Sequence, residues 1–423
     1  MAYRIPVKRS LTIPSSLRPL THKNFGFFWL GAFLSSVGFW IQSVGQGWQV
    51  LKLTNSPLLL GLVSFASLAP NMILSLFGGV MVDRLNRRTV LLVTQMVYMS
   101  TALVLGILTS LGMIAVWHIL VVAVMNGICS SVGFPAWQTF IGDLLPEKEL
   151  KQGIALNSTQ FNLSRVVGPA LGGLCVGLLG IAGSYYLNGI SFVAVIIPLL
   201  LMHSEKSRTR VEQQSVWQGL CEGLKYATHN SLILLLLVLL FFFTSLVFPY
   251  LTLLPVFADN VFHIGAQGLG ALNSAAGVGA LTGSLLSVFL SQYIRNGQRM
   301  LTLLCVVGGT ACVCFAFSGL VPVAMLFLFL LGGSTVMAMI VTNTTIQTHV
   351  PAEMRGRVVS LWVLVSSGIA PLGNLVAGWV AQEIGAPLTL TIGGTACVLL
   401  VLAVICVQIP LHSASRMKTA RVV

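Results

Sequence analysis

The sequence predicts an all-α membrane protein of twelve transmembrane helices in two six-helix halves. Three observations carry that prediction. Charged residues make up only 8% of the chain, against 56% hydrophobic residues, whereas a soluble domain is about 25% charged. Apolar runs of about 18 residues or more, long enough to cross a bilayer as a helix, recur twelve times. The basic residues fall almost wholly on alternate connections between those runs, the asymmetry that orients a polytopic protein.

Taken in order, the runs occupy 25–49, 57–82, 89–111, 114–140, 152–179, 183–203, 230–256, 267–292, 300–318, 321–346, 357–381 and 387–409. Turn residues separate neighbours: NSP at 55–57, RNG at 295–297 and GAP at 385–387. The first run is too long for a cleaved leader, and no small-residue cleavage site follows it. The longest polar connection divides the spans six and six. The chain therefore parses as an N-terminal segment 1–24, a first half 25–203, a linker 204–229, a second half 230–409 and a tail 410–423. In the linker, Val216, Leu220 and Leu224, with Trp217 and Cys221, form the apolar side of a short interfacial helix. A plain tether is the alternative.

With an even number of spans both termini share one side. Of the 23 lysines and arginines, all but Lys52 and Arg165 lie on that side, which predicts cytoplasmic termini in a cytoplasmic (inner) membrane. The same distribution accounts for the net charge of +13 without a nucleic-acid partner, because these residues sit beside anionic headgroups. Seven of the eight cysteines lie within spans and Cys221 lies in the linker, so none is placed for an external disulfide. No metal set and no cofactor is expected. An intramembrane enzyme would need clustered acids, histidines or ligands inside the spans, and these runs lack them.

The two halves echo each other. IGDLLPEKELKQ (141–152) opens the fifth run and IQTHVPAEMRGR (346–357) opens the eleventh, while VVGPALGG (166–173) parallels GIAPLGNL (368–375). Between the second and third runs the chain reads GGVMVDRLNRR, 78–88. This resembles the signature loop of the major facilitator superfamily, G-x-x-x-D-R-x-G-R-[KR], with Gly79, Asp83, Arg84, Arg87 and Arg88 in place. Asn86 stands for the second glycine, as the next-best residue for a left-handed turn. The resemblance implies the major facilitator fold, with Asp83 facing the start of span eleven near Arg355 and Arg357 and helping to latch the cytoplasmic side. A plain positive-inside loop is the other reading of this cluster.

In the fifth run SRVVGPALGG, 164–173, is similar to the G-x-x-x-G-P-x-x-G-G pattern of superfamily antiporters, with Ser164 for the first glycine. There Gly168, Pro169, Gly172 and Gly173 would give close helix packing and a bend. WIQSVGQGWQVLKLTNSP (40–57), GFPAWQTFIGDLLP (133–146) and ALNSTQFNLSRVVGPALGG (155–173) resemble the branch that holds the enterobactin exporter and drug efflux proteins. One departure stands out. The span-four R-x-x-Q-G pattern of many proton-coupled members is replaced here by Ala123 and Asn126–Gly127.

Arg165 lies near the middle of its run, too deep to reach either surface easily. Against lipid it would cost at least ~2.5–3.5 kcal/mol, so it must face a water-filled cavity or a polar partner. Asp143 is a poorly placed mate. Arg165 is thus either an anchor for an anionic substrate or a structural post held by amides and carbonyls. On span one, Gln42, Gln46 and Gln49 fall within about 40° of one another. They either line a cavity or bond neighbouring helices. Asn157 and Gln160 share a side of span five, and Asn126 and Asn343 are further candidates. Trp40, Trp48, Trp137 and Trp362 could stack on a ligand or serve as packing and interface anchors.

The expectation is a secondary carrier that exports a small amphipathic or anionic molecule, of siderophore or drug class, by alternating access. Proton antiport is what the resemblance implies. The expected partners are the substrate, protons and the lipid bilayer, and the chain is expected to act as a monomer. A lysophospholipid carrier and a receptor or structural membrane protein are the alternatives.

Overall fold

A computed structural model describes residues 15–202, 216–290 and 296–419, without the side chains of 15, 73, 75–84, 216–220 and 405–419. Spans one to four are the helices Lys23–Thr54, Pro57–Arg84, Arg87–Ser110 and Val116–Leu144. The helical stretch Leu150–Ser191 is two spans, because Gly180 adopts φ 73°, ψ 178° and folds the chain back. That left-handed φ is open to glycine and strained for other residues. Span five therefore covers 150–179, and span six continues from 181 through Val193–Leu201. Spans eight to ten are Gly265–Leu290, Gly297–Ala316 and Val321–His349, and Ala386–Thr419 holds span twelve.

The capping chemistry is local and repeated. Asn86, Asn230 and Asn296 each accept a backbone N–H of the first turn of spans three, seven and nine, satisfying groups that have no intrahelical partner. Asn86 is a helix cap with φ −72°, ψ 113°. The left-handed turn expected of it does not form, because an extended N-cap serves its side chain better there.

Two spans are irregular where continuous helices were expected. Span seven runs Ser231–Leu246, breaks at Pro249, resumes as Tyr250–Val256 and ends in a π-turn, Phe257–Val261. Span eleven begins at Ala352, passes through a π-turn at Leu364–Gly368 and continues as Ala370–Ile384. Proline supplies the cause in both, since it donates no N–H and crowds the preceding turn. Pro249 sits at the first break and Pro371 follows the second.

The linker does form a helix, Val216–His229. Its packed side carries Gly223 and Ala227, whereas Cys221 and Leu224, two residues of the expected apolar side, are exposed. The side chains of Val216, Trp217 and Leu220 lie outside the described residues. A Cβ on Gly223 would stand 2.8 Å from the Arg357 carbonyl oxygen, and Glu222 pairs with Arg357 at 2.5 Å. The linker helix is thereby docked on the start of span eleven.

Within the first six spans, span one packs along span five and span two along span four; within the last six, span eight packs along span ten. The two sets meet along spans two and eleven and along spans five and eight. Both seams are lined by glycine. A Cβ on Gly61 would be 2.5 Å from the Asn374 oxygen, and one on Gly270 2.6 Å from the Pro169 oxygen. Leu178, Phe289 and Leu402 are among many large apolar side chains left on the outside, as lipid-facing positions should be.

Candidate functional site

The three span-one glutamines separate into two roles. Gln42 accepts a hydrogen bond from Asn188 Nδ2 at 2.6 Å, and it is only 8% exposed. Gln49, 2% exposed, accepts from the Tyr185 hydroxyl at 2.6 Å and donates to Thr109 Oγ1 at 2.9 Å. Of the two alternatives for these residues, the structure shows interhelical bonding: they tie span one to spans three and six. Gln46 is half-buried and makes no hydrogen bond among the described residues.

Other polar candidates are also engaged within their own six-span set. Gln160 Nε2 donates to the Ala32 carbonyl at 2.9 Å and to Ser36 Oγ at 2.6 Å, fastening span five to span one. Asn157 Oδ1 accepts from Trp137 Nε1 at 3.2 Å, and Asn126 Oδ1 accepts from Thr101 Oγ1 at 3.1 Å. Asn343 accepts from Gln347 one turn further along span ten. The glycines of span five face two ways. Gly172 lies against Ile41 and Val44 of span one, and Gly168 against Trp40, while Gly173 lies against the backbone of Ala266 and Gln267 in span eight. The Pro169 carbonyl faces Gly270.

Arg165 sits where the two six-span sets touch. Its backbone oxygen would be 2.6 Å from a Cβ on Gly277 of span eight, and the next carbonyl, of Val166, accepts from Ser274 Oγ at 3.1 Å. Its side chain is half-buried and makes no hydrogen bond or ion pair among the described residues. Asp143, the one carboxylate weighed as a mate, pairs with Arg87 at 2.8 Å instead. The Tyr250 hydroxyl of span seven lies within electrostatic range of Arg165. No motif in the sequence pointed to Tyr250; its only signal is the helix break at Pro249 beside it.

The basic loop is similarly divided. Arg87 holds Asp143, and Arg88 donates through Nε to the Leu199 carbonyl at 2.5 Å and through Nη2 to that of Leu200 at 2.9 Å, closing the end of span six. Both therefore bond inside the first six spans. Arg357 holds Glu222 of the linker helix, and Arg355 is exposed. The side chains of Gly79, Asp83 and Arg84 lie outside the described residues, and so does the contact expected between Asp83 and span eleven.

At the end of the bundle opposite the termini, polar bonds cross from one six-span set to the other. Lys52 Nζ lies 2.8 Å from both Asp259 oxygens and 4.8 Å from the centre of the Trp48 ring. Ser56 Oγ donates to Gln382 Oε1 at 2.7 Å, and Asn374 Nδ2 donates to Ser64 Oγ at 2.8 Å. Asn260 donates to Asn55 at 3.4 Å. Sequence reading singled out neither Lys52 nor Asp259 as a pair, since 207 residues separate them.

Comparison with known proteins agrees with this architecture. The staphyloferrin A transporter of Staphylococcus aureus is 25% identical over 383 residues, covering 89% of this chain and 94% of that protein. The multidrug efflux pump Tap of Mycolicibacterium fortuitum is 26% identical over 390 residues, covering 90% and 94%. The enterobactin exporter EntS of Escherichia coli is 26% identical over 365 residues, covering 84% and 86%. Among solved structures, a bacterial homologue of the human lysosomal transporter Spinster, inward-facing and occupied, superposes with a TM-score of 0.71 at 13% identity, covering 91% of this chain and 96% of that one. A POT family transporter in complex with 5-aminolevulinic acid gives the same TM-score at 12% identity, with the same coverage. The transmembrane secretion effector family matches residues 14–422, so this chain belongs to that family, a branch of the major facilitator superfamily, and is a multi-pass membrane transporter.

Proposed function

We propose that this transporter is an exporter in a bacterial inner membrane, with both termini in the cytoplasm, and that it moves a small anionic or amphipathic molecule of siderophore or drug class by alternating access. The observation that carries the reading is Arg165. It places a fixed positive charge in the middle of a span, at the seam between the two six-span sets, with no ion pair among the described residues. An ionised side chain at that depth is expensive and is kept for function by default. A seam between repeats near mid-depth is also where carriers of this architecture hold substrate.

The relatives support the class. Two carry the names of siderophore carriers and one that of a multidrug pump. Proton antiport is the coupling that the superfamily suggests, with the Asp83 loop as the cytoplasmic latch and the chain acting as a monomer. Gln46 is the span-one residue left to meet the substrate, since Gln42 and Gln49 are spent on helix packing.

The test is a thermal-shift panel on purified protein: siderophore-like anions, cationic drugs and lysophospholipids, on wild type and Arg165→Ala. Stabilisation by anions that disappears in a mutant melting like wild type is the expected result. A mutant that binds the same compounds as before, or that melts lower with no ligand present, makes Arg165 a structural post. Stabilisation by lysophospholipids alone would move the substrate class to lipids.

A further inference from the structure

Several buried polar atoms among the described residues have no hydrogen-bond partner, and they are of both kinds: the amide oxygens of Gln95, Gln152 and Asn374 lack a donor, whereas the indole N–H of Trp40 lacks an acceptor. Trp40 Nε1 and Tyr250 OH are both buried and unpaired. An indole N–H is only a donor, and a phenol donates when it has an acceptor to reach. Arg165 adds a guanidinium, five N–H donors and no acceptor, again without a hydrogen bond among the described residues. What this neighbourhood lacks is acceptors.

These donors lie at one depth. Trp40 of span one packs on Gly168, which is one helical turn from Arg165 on span five. Tyr250 of span seven lies within electrostatic reach of Arg165. A Cβ on Gly47 would be 3.2 Å from Pro255 Cγ, so spans one and seven are in register there. Counting back at about 1.5 Å per residue, Trp40 lies roughly two turns below that contact and Tyr250 about one and a half. The depths agree to within a few ångströms. Spans one and five belong to the first six, span seven to the last six.

We infer that Arg165, the Tyr250 hydroxyl and the Trp40 indole N–H form a subsite, assembled across the two six-span sets, for an oxygen-rich anionic group of the substrate, of carboxylate or catecholate type. This rests on the reading of Arg165 as a substrate anchor and extends it to two further residues and to a ligand chemistry. An anion with several acceptor oxygens satisfies all three donors at once, and charge-assisted bonds to oxygen are the strong ones. A cation satisfies none. The Tyr250 side chain is wholly buried, so the subsite admits its ligand when the two sets part. Because its donors come from both sets, the ligand's hold on them changes as the sets move.

The inference predicts opposite signs for stability and binding. Tyr250→Phe removes an unpaired buried hydroxyl and keeps the ring, so the ligand-free protein should melt at the same temperature as wild type or higher. Affinity for the anion should nevertheless fall about 10- to 150-fold, the loss of one donor to a charged acceptor. The probes are citrate and protocatechuate, with tetraphenylphosphonium as the cationic contrast, each titrated calorimetrically into detergent-purified wild type, Tyr250→Phe, Trp40→Phe and Arg165→Gln. The expected result is a matching loss of affinity for the anions in Trp40→Phe, a larger one in Arg165→Gln and no change for the cation. If Arg165→Gln loses the anions while Tyr250→Phe keeps them at wild-type affinity, the subsite is wrong and the Arg165 reading stands. A lower melting temperature in ligand-free Tyr250→Phe overturns the subsite too, since the hydroxyl then has a structural partner. If wild type binds neither anion, both readings fall together.

Discussion

Gly61→Ala offers a direct way to ask whether the seam between spans two and eleven opens during transport. The added Cβ would lie 2.5 Å from the Asn374 carbonyl oxygen, 3.2 Å from Gly378 Cα and 3.3 Å from Leu375 Cα. Ordinary contact begins near 3.4 Å, so the oxygen must retreat by about 0.9 Å, and overpacking of this kind costs about 1–3 kcal/mol. All three obstacles are backbone, so no rotamer change relieves them. The cost can be avoided in one way, by the two spans separating. If the sets rock apart at this end, the substitution should favour the separated state by about 1–3 kcal/mol, roughly 5–150-fold in population. Spin labels at positions 53 and 384, both exposed at this end on opposite sets, would report the change by pulsed dipolar spectroscopy in a cysteine-free background. Gly332→Ala is the control. Its Cβ would overlap the Ala276 carbonyl within the last six spans, so it should lower stability and leave the 53–384 distance alone. An unchanged distance distribution in Gly61→Ala, with a fall in melting temperature like that of the control, would refute the idea of a parting seam.

Two further outcomes follow from the same geometry. Lys52 and Asp259 are 48% and 24% exposed, so their ion pair is worth about 0.2–1 kcal/mol, and the Trp48 face adds about 0.5–1 kcal/mol. Asp259→Asn should shift the spin-label distances toward separation by less than Gly61→Ala does, and the swapped pair Lys52→Asp with Asp259→Lys should restore most of the wild-type distribution. Gln49→Leu strands the Tyr185 hydroxyl in a buried site, while Thr109 keeps its bond to the Leu105 carbonyl, so it should destabilise the protein by about 1–3 kcal/mol. Thermal unfolding measures that loss, and anion affinity in the surviving folded protein should stay at the wild-type value.

Particular residues show where sequence reading succeeds and where it stops. The span-one glutamines could be placed on one strip from spacing alone, because helical periodicity is a local property. Their division into two packing residues and one free residue depended on Asn188, Tyr185 and Thr109, which arrive from spans three and six. Arg165 was conspicuous in sequence because charge is rare within apolar runs. Its neighbour Tyr250 was not, because a tyrosine in such a run is ordinary and its missing partner is visible only in three dimensions. The same holds for Arg87. The signature loop marks it, yet the residue it grips is Asp143 of span four.

The sequence by itself determined that this chain is helical, crosses the membrane twelve times and resembles the major facilitator superfamily. Hydropathy, turn residues and proline act over a few neighbouring residues, and the bilayer obliges each apolar run to satisfy its own backbone as a helix. Only the tertiary structure decided which polar groups are consumed in packing, where spans seven and eleven break, and which ends of the two sets are bonded together. Those outcomes depend on side chains that meet across hundreds of residues, as Lys52 meets Asp259 and Ser56 meets Gln382. No periodicity along the chain encodes such a pairing, since it is settled by how closely glycine-lined helices can approach and by which donors are then left without an acceptor.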